Sequence, residues 1–222
     1  MFIRCVRVGL PVVALGLLAW GCSSTPDFVA KDEPWRQEEE LACLSSGVVR
    51  ESTFVRSRSA LGGPSVCGAE RPFEMAAAYG GRVVLNPPAL LRCPMVPQVD
   101  RWIADIVEPA ARSYLRTSLA ELTVAASYSC RPMNNQFGGR LSEHGHANAI
   151  DISAFKMADG HVVTVKGGWN GAPAEHAFLR AVRAGACSEF TTVLGPGEPY
   201  HGDHFHFDLA RHGRDGLLRI CK

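Results

Sequence analysis

His204-Phe205-His206-Phe207-Asp208 sets histidine or aspartate at every second position, with phenylalanine between them. A β-strand sends alternate side chains to opposite faces. Read as a strand, the stretch buries Phe205 and Phe207 in a core and gathers His204, His206 and Asp208 on the other face. A second stretch, AIDISAF at 149–155, alternates in the same way and puts Asp151 opposite Ile150 and Ile152. Five of the eight histidines lie in SEHGHANAIDIS (142–153) or HGDHFHFD (201–208). Partly buried imidazoles lose hydration unless each nitrogen finds a hydrogen-bond partner or a metal. If the two strands are neighbours, His144 from the preceding loop, Asp151 and one later histidine converge on one ion. Zinc accepts such a set in a tetrahedral shell, and three protein ligands with a fourth position open describe a catalytic site. The same donors suit nickel, copper or iron. The rival reading is a hydrogen-bonded histidine network that only joins two strands.

Working outward, apolar residues from Val99 to Leu115 recur at spacings of three and four, which predicts a helix over 99–119 that Pro109 kinks or divides. LTVAASYSC (122–130) has strand composition, and HVVTV (161–165) is placed to pair with AIDISAF across the turn MADG. APAEHAFLRAVRAGAC (172–187) predicts a second helix with Phe178, Leu179 and Val182 inward. TTVLG (191–195) and HFHFDLA (204–210) read as two final strands. Residues 43–97 are rich in Gly, Pro and Cys and give few regular signals. The expected class is α+β, with a mainly antiparallel sheet, flanking helices and disulfide stabilisation.

The first 21 residues carry Arg4 and Arg7 ahead of a short apolar run, as a secretory signal does. Leu18-Ala19-Trp20-Gly21-Cys22 is similar to a lipobox, so the expectation is a lipid anchor at Cys22 or plain cleavage nearby. Residues 22–41 are polar, charged and proline-containing and read as a tether; the domain is expected over 42–222. These features predict export to the periplasm, as an outer-membrane lipoprotein. Without the signal, 21 basic residues face 22 acidic ones, which gives no basis for a nucleic-acid partner. A membrane contact is expected only through the anchor. The six domain cysteines, Cys43, Cys67, Cys93, Cys130, Cys187 and Cys221, suit disulfides in an exported chain, and sequence does not choose among their pairings. Neither does it fix an oligomeric state.

Ser142-x-His144-x-x-x-x-Ala149-x-Asp151 followed by His204-x-His206 resembles the zinc peptidases that include D-alanyl-D-alanine carboxypeptidases, MepA-type murein endopeptidases and lysostaphin-like enzymes. More closely, SYSCRPMN, RLSEHGHANAIDI, FTTVLGPG and HGDHFHFDLA resemble the bacterial extensin-like C-terminal domain family. The resemblance implies a zinc-peptidase-like fold of the hedgehog and D-Ala-D-Ala peptidase type and one zinc ion. It places His144, Asp151 and His206 on the metal ligands and His204 on the group that helps to activate water. It places Ser142 at the start of the ligand motif and Arg131 where an arginine meets substrate or a developing oxyanion. The implied activity is zinc-dependent hydrolysis of amide bonds in peptidoglycan stem peptides or cross-links. The alternative is a non-catalytic module that binds cell-wall peptides or a partner. This chain has Ala147 where the peptidase motif usually has glycine, His204 where many members use glutamate, and an additional His146.

Overall fold

The structure is a computed structural model that describes residues 27–222. The expected signal peptide and the lipidation at Cys22 lie outside the described residues. Among those described, no helix is long and apolar enough to cross a membrane.

In chain order the strands are β1 (Val55–Ser57), β2 (Leu61–Gly62), β3 (Gly68–Ala69), β4 (Phe73–Ala78), β5 (Val83–Leu91), β6 (Leu119–Ala126), β7 (Ala149–Met157), β8 (Val162–Thr164), β9 (Thr192–Leu194), β10 (Phe205–Asp208) and β11 (Ile220–Cys221). One large sheet runs in the order β1-β4-β5-β6-β7-β10-β9-β11, with β8 added to β7, and β2 and β3 form a separate ribbon. The class is α+β, but the sheet is mixed where mainly antiparallel pairing is expected: β5–β6 and β9–β11 are parallel. The cause is a crossover. The chain leaves β5, passes through a long helical rod and returns as β6 in the same direction, as parallel neighbours require.

That rod starts as α2 (Met95–Arg101), continues through the wide π-type turns Trp102–Val107, then α3 (Glu108–Ala110) and a second wide stretch, Ala111–Leu115. Pro109 does not divide it. Residues on both sides keep helical dihedrals, such as −68° and −47° at Val107 and −58° and −46° at Ala111, and the wide turns flank the proline. Trp102 is fully buried at the centre of the core, with its ring 4.9 Å from Phe207, 6.2 Å from Phe155 and 6.4 Å from Phe190. Its indole N–H donates to the Val182 carbonyl at 3.2 Å, which removes the one polar obstacle to burying it.

After β8 comes the short α4 (Val165–Gly168), then α5 (Pro173–Glu189), which buries Phe178, Leu179 and Val182 as its periodicity predicts. Gly185 lets α5 approach the rod closely, since a Cβ there would meet Ile106 Cγ2 at 2.5 Å. The segment expected to be irregular contains β5, VVLNPPALL. Its prolines fall in a register shift, with Val83–Val84 and Ala89–Leu91 paired to β4 but the residues between them not. Helix α1 (Trp35–Ser46) begins inside the stretch read as a tether. Disulfides join Cys43 to Cys93, Cys67 to Cys130 and Cys187 to Cys221.

Candidate metal centre

β7 and β10 are adjacent and antiparallel, with His206 opposite Asp151. Phe205, Phe207, Ile150 and Ile152 are almost fully buried against the rod and α5, so the alternating polar residues are forced onto the other face of the sheet. His144 reaches that face from a 3-10 turn, Glu143–His146, just before β7. His144 Nε2 lies 3.1 Å from Asp151 Oδ2 and 3.3 Å from His206 Nδ1, and His206 Nδ1 lies 2.8 Å from Asp151 Oδ1. Zinc bonds of about 2.05 Å in a tetrahedron space the donors roughly 3.3 Å apart. The two ring nitrogens and the Asp151 carboxylate converge at close to that spacing.

The second nitrogen of each ring supports the fit. His144 Nδ1 is 2.5 Å from the Ser127 carbonyl, and His206 Nε2 is 3.0 Å from Asp208 Oδ2. Each of those nitrogens therefore donates its hydrogen outward and aims the other at Asp151, the arrangement by which proteins orient metal-ligating imidazoles. Asp208 is itself fixed by the Ala210 N–H at 2.9 Å. Sequence reasoning put Asp208 on this face without a role. It did not find Ser127, because the strand expected to reach Cys130 leaves the sheet after Ala126 and frees the Ser127 carbonyl for His144.

The charges are strongly coupled. Burial would raise the Asp151 carboxyl, but hydrogen bonds and charge from His144 and His206 hold it far below the usual carboxylate range. Burial opposes protonation of His206, yet Asp151 and Asp208 on its two sides raise it to about 10. Asp208 is buried too, and His206 keeps it below its ordinary value. A dication held by both rings would take the place of that proton between the same carboxylates.

The other residues singled out by sequence fall around this set. His204, just before β10, places Nε2 3.8 Å from Asp151 Oδ2, while its Nδ1 bonds Asp203 at 2.8 Å. His201 packs beside them, ring centroids 5.3 Å from His204 and 5.7 Å from His206, with Nδ1 on the Pro199 carbonyl. Its pKa is lowered by burial and then by its histidine neighbours. Ser142 caps the ligand turn: its Oγ accepts the His144 N–H at 3.4 Å. Arg131 lies beside the turn, its carbonyl accepting the Ser142 N–H at 3.1 Å, and its guanidinium contacts the Pro132 carbonyl at 3.4 Å. Among the described residues, no hydrogen bond or ion pair joins that guanidinium to His144, Asp151 or His206. His146 points away from them, toward Arg36 and Arg92 in a cleft behind the turn. Ala147 closes the turn at φ 51° and ψ 27°, a left-handed conformation in which a glycine is unstrained.

An α+β domain whose central strands carry a His₂Asp donor set on the face opposite the core is a candidate mononuclear metal protein. The chain belongs to the family described as Extensin-like protein C-terminus, whose model matches residues 41–222. No curated protein and no solved structure matches it.

Proposed function

We propose that the protein is a metal-dependent hydrolase, most directly a zinc hydrolase of amide bonds in peptidoglycan stem peptides or cross-links. The observation that carries the metal is the convergence of His144 Nε2, Asp151 and His206 Nδ1 with both outer ring nitrogens already satisfied. When bound, zinc supplies Lewis acidity toward a scissile carbonyl and acidifies water. His144, Asp151 and His206 hold the ion. His204 stands next to it with Nδ1–H donated to Asp203, so its Nε2 lone pair faces the centre and serves to accept and return a proton. Asp203, kept ionised below the usual range by that hydrogen bond, fixes the tautomer. Arg131 is assigned to substrate or oxyanion on resemblance, from its place beside the ligand turn.

The substrate class comes from likeness to zinc peptidases of the D-alanyl-D-alanine carboxypeptidase and murein endopeptidase type, and from the expected signal sequence, which would send the chain to the periplasm with a lipid anchor at Cys22 or plain cleavage nearby. Peptidoglycan is an amide-bearing polymer of that compartment. Incubating purified peptidoglycan with the full chain, with zinc and with a chelator, and reading the fragments by mass spectrometry tests the proposal. New amide-cleavage products that vanish with chelator and return with zinc support it. Absence of products from metal-loaded protein assigns the same site to a binding module.

A further inference from the structure

The family match begins at residue 41, yet the chain ahead of it runs along the element that carries His144. Gly138 N–H bonds the Asp27 carbonyl at 2.7 Å, Val29 N–H the Gly139 carbonyl at 2.8 Å, and Leu141 N–H the Val29 carbonyl at 3.0 Å. Phe28, between them, is buried. Residues 27–29 thus fasten the loop that leads into Ser142. Seven residues further on, at the start of α1, Arg36 forms a two-pronged pair with Glu143, Nη1 to Oε2 and Nη2 to Oε1, both at 2.6 Å.

Glu143 is the residue before His144. Its carboxylate also accepts Asn148 Nδ2 at 2.6 Å, and its carbonyl accepts the Asn148 N–H at 3.0 Å, so the ligand turn closes on Glu143 from both sides. Arg36 is in turn oriented by Glu33, Nε to Oε2 at 2.8 Å. The Arg36 carbonyl accepts from Arg92 Nη2, and Arg92 N–H bonds the Ala147 carbonyl at 2.8 Å. One residue therefore grips the first residue of the turn directly and the last through Arg92. The Cys43–Cys93 disulfide, next to Arg92, ties α1 to the same place. A bidentate pair fixes direction as well as distance, and this one is mostly shielded from solvent, so losing one partner leaves a poorly hydrated charge.

We propose that Arg36, outside the matched family region, is a positioning residue of the metal site: through Glu143 it sets the turn that aims His144 Nε2 at Asp151. The proposal rests on the metal-binding reading above. Its test is a double-mutant cycle on the full chain, with zinc affinity measured by competition against a chromophoric chelator and the visible spectrum of the cobalt form as a second readout. Arg36→Gln and Glu143→Gln each weaken zinc binding about tenfold, the low end for groups that orient a metal ligand. The double variant weakens it no further than either alone, and the cobalt bands shift in all three. Arg36→Lys, which keeps the charge and removes the fork, gives an intermediate loss and supplies the answer if Arg36→Gln does not fold. Zinc affinity and cobalt bands unchanged in Arg36→Gln or Arg36→Lys, or losses that add fully in the double variant, overturn the positioning role. A native chain that binds no zinc overturns the metal site itself and the role with it.

Discussion

The two faces of the β7–β10 pair are made from alternate residues of the same strands, yet they are held by opposite physics. On the core face Phe205, Phe207, Ile150 and Ile152 are nearly inaccessible and belong to one buried apolar cluster, so burial itself is the stabilising term. On the other face Asp151 and Asp208 are equally buried, and burial is the opposing term that their bonds to His206 overcome. Removing a side chain from the first face leaves a cavity; removing one from the second leaves an unmatched charge. The first face secures the fold, and the second keeps charges close together where a metal can use them.

The largest expected effect lies on the core face. Phe207 is stacked on Phe190 at 4.9 Å and packs edge-on against Trp102 at the same distance, so Phe207→Ala costs about 3–5 kcal/mol in a urea titration. Chelator-treated protein provides the control, because the loss does not depend on metal.

Next comes a contrast between the ligand turn and β10. His146 faces Arg36 and Arg92, and burial followed by those two cations lowers its pKa to about 4. An unfolded histidine near 6.5 binds a proton that the folded one refuses, so metal-free protein loses stability as pH falls from 6.5 toward 4. The drop is about 3 kcal/mol, at ~1.4 kcal/mol for each pH unit that separates the folded and unfolded values. His206 has the opposite sign. Raised to about 10, it contributes stability that is complete below 6.5 and lost as pH climbs toward 10. Urea midpoints against pH in chelator, for the native chain and His146→Gln, separate the two: the substitution flattens the acid side only.

A smaller stability effect is expected for Asp151→Asn, about 1–3 kcal/mol without metal, because an amide replaces a carboxylate that two histidines share. The histidine ring signals should show His206 titrating well below 10 in this variant. Zinc binding tightens with rising pH in the native chain, since the ion displaces the His206 proton, and is lost in Asp151→Asn. The least effect on stability, within about 0.5 kcal/mol, is expected for His204→Ala, whose ring is partly exposed, hydrogen-bonded to Asp203 and no closer than 3.8 Å to Asp151 Oδ2. That variant keeps its zinc and loses hydrolysis by at least about 100-fold if His204 carries the proton.

How far the sequence could be read follows the same division. HFHFD and AIDISAF are legible because a period of two is unambiguous when one phase is phenylalanine or isoleucine. The helix stripe from Val99 is legible for the same reason, although Tyr114, counted in it, is 44% exposed. β5 is not legible, since Pro87-Pro88 punctuate it and a strand holding them depends on a register shift seen only in three dimensions. With β5 unread, the crossover to β6 and its parallel pairing could not be inferred. At the centre, side-chain type made His144, Asp151 and one later histidine legible, and the resemblance chose His206 over His204. Their supports were not legible, because a Ser127 carbonyl has no sequence signature and Arg36 lies 107 residues before Glu143.

Everything at this face turns on whether His144, Asp151 and His206 form a metal centre. Zinc-edge X-ray absorption of the purified full chain, with metal content from the same sample, tests it most directly. The expected result is one zinc per chain, a first shell of nitrogen and oxygen at about 2.0–2.1 Å with the outer-ring scattering of two imidazoles, and loss of that signal in Asp151→Asn. Substoichiometric zinc, a sulfur-containing shell, or the same spectrum in Asp151→Asn would contradict it.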